Sequence, residues 1–185
     1  MKKRIISLLT IIFSLISFHT NASEQNWKPA QDGDKIILIR HAKAPGGGDP
    51  KGFKIDDCKT QRNLNEIGIN QSKKIGKLFR EKNIKIDKVF SSQWCRCKDT
   101  AKYAFGDFKE FSALNSTFQS PFDKNEDKQI EILKNFVKNW NGKGKNLVLV
   151  THYSIITAIT DAVPSSGEIV ITDKNFNVLS TVITN

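Results

Sequence analysis

Two rhythms of apolar and polar positions alternate along this chain. Lys35–Arg40 (KIILIR) and Asn146–Thr151 (NLVLVT) are short, almost wholly apolar runs, as strands buried on both faces of a sheet must be. Between and after them the spacing turns helical. Asn65 is placed to cap a helix running to about Glu81, with Ile67, Ile75, Leu78 and Phe79 on its buried side. Gln93 to about Phe105 predicts a second helix, and Asp127 to Trp140 a third, through Ile130, Leu133, Phe136, Val137 and Trp140. A fourth runs from about Tyr153 to Asp161, while Asp87–Ser91, Glu168–Thr172 and Asn177–Thr184 read as further strands. Strands alternating with helices predict an α/β protein with a parallel core. Two segments keep neither rhythm. One is a loop over Lys43–Arg62, carrying Pro45, Gly46, Gly47, Gly48, Pro50 and Gly52; the other is a polar insertion over Gly106–Asn125.

The amino terminus is set apart from this pattern. Lys2, Lys3 and Arg4 precede an uncharged apolar run, Ile5–Phe18, and Thr20-Asn21-Ala22 offers the small residues a signal peptidase reads. That run of 14 residues is shorter than the roughly 20 needed to span a bilayer. The expectation is a signal peptide over residues 1–22, a single domain over 23–185, and a periplasmic or otherwise secreted product. No stable membrane insertion is expected once the leader is removed. Its loss would lower the formal net charge from +10 to +7, which still favours anionic partners. The lysines are scattered, with neither the basic stripe nor the interleaved aromatics of a nucleic-acid binder. Of three cysteines, Cys58, Cys95 and Cys97, two are expected to pair in an oxidising compartment. Cys95 and Cys97 point opposite ways on a helix, so only one of them can readily face Cys58. Three cysteines at this spacing do not make a zinc site.

The region after the leader holds only two histidines, His41 and His152, each directly after a buried strand. A third polar cluster, Ser91–Arg96, follows the Asp87–Ser91 strand. Ligands of open α/β sheets bind beyond the carboxyl ends of the strands, so this topology gathers Arg40, His41, Arg96 and His152 around one crevice. Arg40 places a charge where an apolar strand ends, and such a charge needs a partner.

These residues carry a family likeness. LIRHA (Leu38–Ala42) resembles the Arg-His motif of the histidine phosphatase, or phosphoglycerate-mutase-like, superfamily. RNLNEIGINQSKKIG (Arg62–Gly76) resembles its leucine-x-x-x-glycine helix entry. VFSSQWCRCKDTA (Val89–Ala101) resembles the segment carrying the second arginine, and LVLVTH (Leu147–His152) the segment carrying the second histidine. The matches keep the family's order over about Ile36–Glu168. The leader and the cysteines resemble the small exported bacterial branch. The resemblance implies a three-layer α/β/α sandwich with a mostly parallel central sheet and a phosphatase mechanism without cofactor or metal. His41 would attack phosphorus to give a phosphohistidine, with Arg40, Arg96 and a protonated His152 clamping the transferring group. Arg62 and Ser92 would add substrate contacts.

The general acid departs from the family's pattern. Tyr153 follows His152 where one branch places a carboxylate, and Leu114–Phe118 offers none. Asp123, Glu126 and Glu168 are the candidates, with Asp56 or Asp57 on the long loop. Without such an acid the enzyme would favour good leaving groups: phosphoramidates, acyl phosphates, aryl phosphates or pyrophosphates. The expected substrate is a small phosphorylated compound, for example an envelope sugar phosphate. The alternative is a non-catalytic periplasmic binder of phosphate-bearing ligands such as lipopolysaccharide.

Overall fold

The computed structural model describes residues 22–184; apart from Ala22, the expected leader lies outside them. Strands β1 (Ile36–Arg40), β2 (Ile86–Ser91), β3 (Lys109–Glu110), β4 (Asn146–Thr151), β5 (Ile169–Thr172) and β6 (Val178–Val182) form one sheet in the order β3-β2-β4-β1-β5-β6. The first four of that order run parallel, while β5 pairs antiparallel to β1 and to β6. β1 and β4, the two apolar runs, are its central pair, which is why they carry no alternation: Ile36–Ile39 and Leu147–Val150 have no exposed surface.

Helices cover both faces. On one side α1 (Ala22–Asp32), α2 (Glu66–Glu81) and α3 (Cys95–Phe105) bury Trp27, Ile75, Phe79 and Ala101 against Ile37, Ile39, Val148 and Val150. On the other, α4 (Glu126–Asn139) and α5 (Tyr153–Thr160) bury Leu133, Val137, Ile155 and Ile156 against Ile36, Leu38, Leu147 and Leu149. The three-layer sandwich is therefore as expected. Loops bring two additions. The 106–125 insertion supplies the short edge strand β3 and two 3₁₀ turns, and α1 forms despite Pro29 because Trp27 and Ala30 are anchored in the core.

α2 begins where expected, with the Asn65 side chain accepting from Gly68 N–H at 3.0 Å. Its buried stripe is Gly68, Ser72, Ile75, Gly76 and Phe79, joined by Gln71. Ile67 lies about 100° around the helix from Gly68 and is 67 % exposed, so its expected burial is corrected. A Cβ on Gly68 would stand 2.1 Å from the Lys43 carbonyl oxygen, and one on Gly76 would stand 2.0 Å from that of Ala104. These two glycines let α2 lie directly on the segment after β1 and on α3.

Candidate active site

Backbone pairing sets the frame. β1 and β4 are neighbours in register, Arg40 opposite Thr151, and His41 N–H donates to the Thr151 carbonyl at 2.9 Å. Both histidines therefore leave the same sheet edge side by side, with ring centroids 5.5 Å apart. On the other flank of β4, Ser92 N–H bonds Val150 O and brings the start of α3 to the same edge. The sheet thus joins Arg40, His41, Arg96 and His152, as the topology predicts. They line a cavity of about 90 Å³ with Arg62 and the backbone of Gly46–Gly48; Ser116, Phe118 and Tyr153 complete its wall.

His41 is 2 % exposed, and its Nδ1 lies 2.8 Å from the Ala42 carbonyl. A carbonyl only accepts, so Nδ1 carries the proton and Nε2 keeps its lone pair. Burial first, then Arg96, hold His41 well below its ordinary value of 6.5. It is neutral at neutral pH, as a nucleophile must be.

His152 is equally buried. Its Nε2 is 2.9 Å from Ser92 Oγ, whose own proton goes to Asn115 Oδ1 at 3.2 Å, so Nε2–H donates to Ser92. Nδ1 faces Arg96 Nη2 at 3.4 Å. Burial and then Arg96 also push His152 well below 6.5. This corrects the expectation of a protonated His152: amid desolvation and guanidinium charge, the neutral imidazole is the resting form. Ser92 is corrected as well. It is fully buried beneath His152 and outside the cavity wall, so it orients the imidazole and has no surface for substrate.

The arginines are held by acceptors that fix their direction. Arg40 Nη1 donates to Pro164 O at 2.8 Å, with its guanidinium 5.2 Å from the Tyr153 ring centre. Arg62 donates from Nε to Gly48 O at 2.9 Å and from Nη1 to Ala44 O at 2.5 Å, tying the glycine loop over the cavity. Arg96 Nη1 reaches both oxygens of Asp49, at 2.8 and 3.0 Å, in an ion pair whose side chains are 3 % and 2 % exposed. The Nε–H groups of Arg40 and Arg96 are buried without a protein acceptor. Guanidinium planes carry fixed charge and several parallel donors, the complement of a phosphoryl group.

Asp49 is the residue that sequence reasoning missed. Its carboxylate also accepts from Arg62 N–H at 3.0 Å and Trp94 Nε1 at 2.9 Å, so the loop folds inward on it. Asp56 and Asp57, the loop acids singled out from the sequence, stay away from the cavity: Asp56 is exposed and Asp57 caps a 3₁₀ turn. Nothing local in Gly48-Asp49-Pro50 marks which acid turns inward. The signal was the unbalanced cluster of arginines, which requires a buried anion.

The candidate acids are not brought into the cavity. Asp123 is exposed, Glu126 accepts from Thr117 Oγ1 at 2.5 Å, and Glu168 accepts from Ser165 N–H at 2.8 Å. Among the described residues no Asp or Glu lines the wall, and no three His, Cys, Asp or Glu side chains gather as a metal site. Cys58 and Cys95 form the disulfide, stapling the long loop to α3 beside Arg96. Cys97 stays a buried free thiol, 3.4 Å from His152 Nε2, with its pKa pushed up to about 12 by burial.

The comparisons agree with this geometry. The family model of the histidine phosphatase superfamily (branch 1) matches residues 36–118, taking in Arg40, His41, Arg62 and Arg96 and ending before His152. No curated protein matches the sequence. Among solved structures, the fold is similar to the protein assigned as phosphohistidine phosphatase SixA of Agrobacterium tumefaciens. There the identity is 18 %, the TM-score 0.57, and the match covers 82 % of this chain and 99 % of that one. TTHB049 of Thermus thermophilus matches at 15 % identity and TM-score 0.57, covering 80 % and 99 %. A phosphoserine phosphatase of Entamoeba histolytica matches at 17 % and 0.55, covering 82 % and 95 %.

Proposed function

We propose that the chain is a member of the histidine phosphatase superfamily, whose family model matches residues 36–118, and that it is a metal-independent phosphohydrolase that passes a phosphoryl group through His41. The observation that carries the reading is the His41 tautomer. Nδ1–H is committed to the Ala42 carbonyl, so the basic Nε2 belongs to a ring lining a cavity walled by three guanidinium groups.

Phosphoryl transfer spreads negative charge over three equatorial oxygens while the attacking and leaving atoms stay in line. Arg40, Arg62 and Arg96 supply fixed positive charge to those oxygens, in a site where little must reorganise as the charge develops. His41 Nε2 attacks phosphorus, the bond to the leaving group breaks, and water then cleaves the phosphohistidine. His152, set by Ser92 and Arg96, is placed beside the transferring group. The leaving group departs without a carboxylic acid among the described wall residues. That favours phosphoramidates, acyl phosphates and aryl phosphates, which leave as weak bases or take a proton readily. A phosphohistidine, the substrate in the name of the A. tumefaciens neighbour, is such a phosphoramidate. The apolar leader, the cationic balance and the Cys58–Cys95 disulfide support action in the periplasm or outside the cell.

The test is release of phosphate from an aryl phosphate in the presence of a chelator, with His41→Ala alongside. Chelator-resistant turnover that falls at least a thousandfold in the variant is expected. Full activity in His41→Ala would sink the mechanism, and tight phosphate binding without turnover would favour a periplasmic binder.

A further inference from the structure

The cavity of about 90 Å³ holds little beyond a phosphoryl group, so the leaving group must meet its rim. Two aromatic rings stand there among the polar residues. Phe118 is 51 % exposed although it lies on the cavity wall. Its ring centre is 5.5 Å from that of Tyr153, with 61° between the two planes. Tyr153 follows His152 at the start of α5, so β4 positions it together with the histidine. The Arg40 guanidinium lies over the tyrosine ring, 5.2 Å from its centre, and joins this aromatic corner to the phosphoryl end.

The backbone that carries Phe118 is fixed on both sides. Thr117 N–H donates to Ser154 Oγ, and Phe118 N–H to Ser116 Oγ, each at 3.3 Å. One residue on, Gln119 Oε1 accepts from Asp49 N–H at 2.8 Å, which ties this segment to the glycine loop. A Cβ on Gly48 would stand 2.8 Å from that oxygen and 3.7 Å from Phe118 Cε1, so the loop lies directly against both side chains. Ser116 and Thr117 are buried, and the phenyl ring is the part of this anchored stretch left to solvent. Apolar surface exposed at the mouth of a charged cavity gains when a ligand covers it. Two rings set at an angle form a corner in which a third can lie against one and meet the other edge-on, the arrangements aromatic groups prefer.

We propose that Phe118 and Tyr153 are the specificity-determining residues of the leaving-group side, and that they select phosphoryl compounds whose leaving group is a planar aromatic ring, a phenol or an aromatic nitrogen heterocycle. The inference rests on the phosphatase reading of the adjacent cavity. A second observation points to the same class. No Asp or Glu lines the wall among the described residues, so the leaving group departs best as a weak base, and phenols and aromatic nitrogens are weak bases that are also flat. Because the corner is held by the backbone of two segments, little ordering is required of it when the ring docks.

The experiment compares calorimetric binding of phenylphosphonate and cyclohexylphosphonate, which share a ring size and an anionic head but differ in flatness. The native protein is expected to prefer the phenyl compound, although the cyclohexyl ring is the more apolar. In Phe118→Leu, which keeps an apolar side chain and loses the flat one, the preference is expected to fall roughly fivefold, the worth of one aromatic pair beyond the area it buries. Phe118→Tyr should retain it. The readout is a ratio, so a fraction of unfolded variant lowers both signals alike. A preference absent from the native protein, or unchanged in Phe118→Leu, overturns the proposal. Hydrolysis of phenyl phosphate by the native protein is followed in parallel. If that ester is not hydrolysed while the Phe118-dependent preference is present, the phosphatase reading fails and the aromatic corner stands. If it is hydrolysed and the two phosphonates bind alike, the corner fails and the phosphatase reading stands.

Discussion

Single residues decide this site through hydrogen-bonding capacity more than through charge alone. Asp49 shows it: one carboxylate fills its lone pairs with Arg96, Arg62 N–H and Trp94 Nε1 while almost wholly buried. Removing one partner of a buried ion pair leaves the other charge uncompensated, at a cost of about 3–5 kcal/mol. Asp49→Asn keeps the shape and loses the charge. We expect chemical denaturation to show a loss of roughly 3 kcal/mol, and kcat to fall at least tenfold because Arg96 is no longer held in place. Wild-type kcat in a destabilised variant would show that Asp49 only supports the fold. At this scale the sequence was half legible. Arg40, His41, Arg96 and His152 stood out because strand ends announce themselves as the boundary between apolar runs and charge. Asp49 did not, because the inward turn of a glycine-rich loop is dictated by the arginines it meets, far away in the chain. Ser92 misled for a related reason: a serine beside a site offers the same hydroxyl whether it faces substrate or a histidine.

At the scale of elements, the strands at the centre of the sheet and the amphipathic helices were legible because burial on two faces, or on one, leaves a periodic trace. α1 was not. Its Pro29 argues against a helix locally, and only the seating of Trp27 against Phe79, with ring centres 5.4 Å apart, overrides it. β3 was not legible either, since two exposed residues carry no periodicity. The two glycines of α2 separate structure from function. Gly68→Ala and Gly76→Ala each force a Cβ into a backbone carbonyl, at 2.1 and 2.0 Å, so both should destabilise by about 1–3 kcal/mol. Only Gly68 touches the segment that follows His41. Its alanine variant is expected to lose about tenfold in kcat/KM at a temperature where both variants are fully folded, with Gly76→Ala near the native value. Equal activities would show that α2 does not position the nucleophile.

For the whole molecule, two buried histidines held below their ordinary pKa tie stability to pH. The unfolded chain takes up protons at these sites below about pH 6.5, while the folded chain does not. Stability is therefore complete above that value and is lost as pH falls below it, by up to about 1.4 kcal/mol per pH unit for each histidine. Melting curves from pH 7.5 to 5 should show this decline, and the slope should be smaller in His152→Gln. A slope unchanged by that substitution would assign the acid sensitivity elsewhere. The acid limb of kcat/KM, which reports the free enzyme, should likewise lie below 6.5 once the substrate's own ionisation is allowed for. The register of β1 and β4 carries a last consequence. Because Arg40 sits opposite Thr151 and His41 N–H closes onto the Thr151 carbonyl, the two imidazoles are spaced by the main chain itself. Asp49, Arg62 and Asn115 aside, the 43–62 and 106–125 segments can lengthen, shorten or exchange sequence while that spacing stays as fixed as any pair of neighbouring strands. Such a scaffold is a socket of constant gauge, to which new substrate preferences can be fitted by rewriting the rim alone.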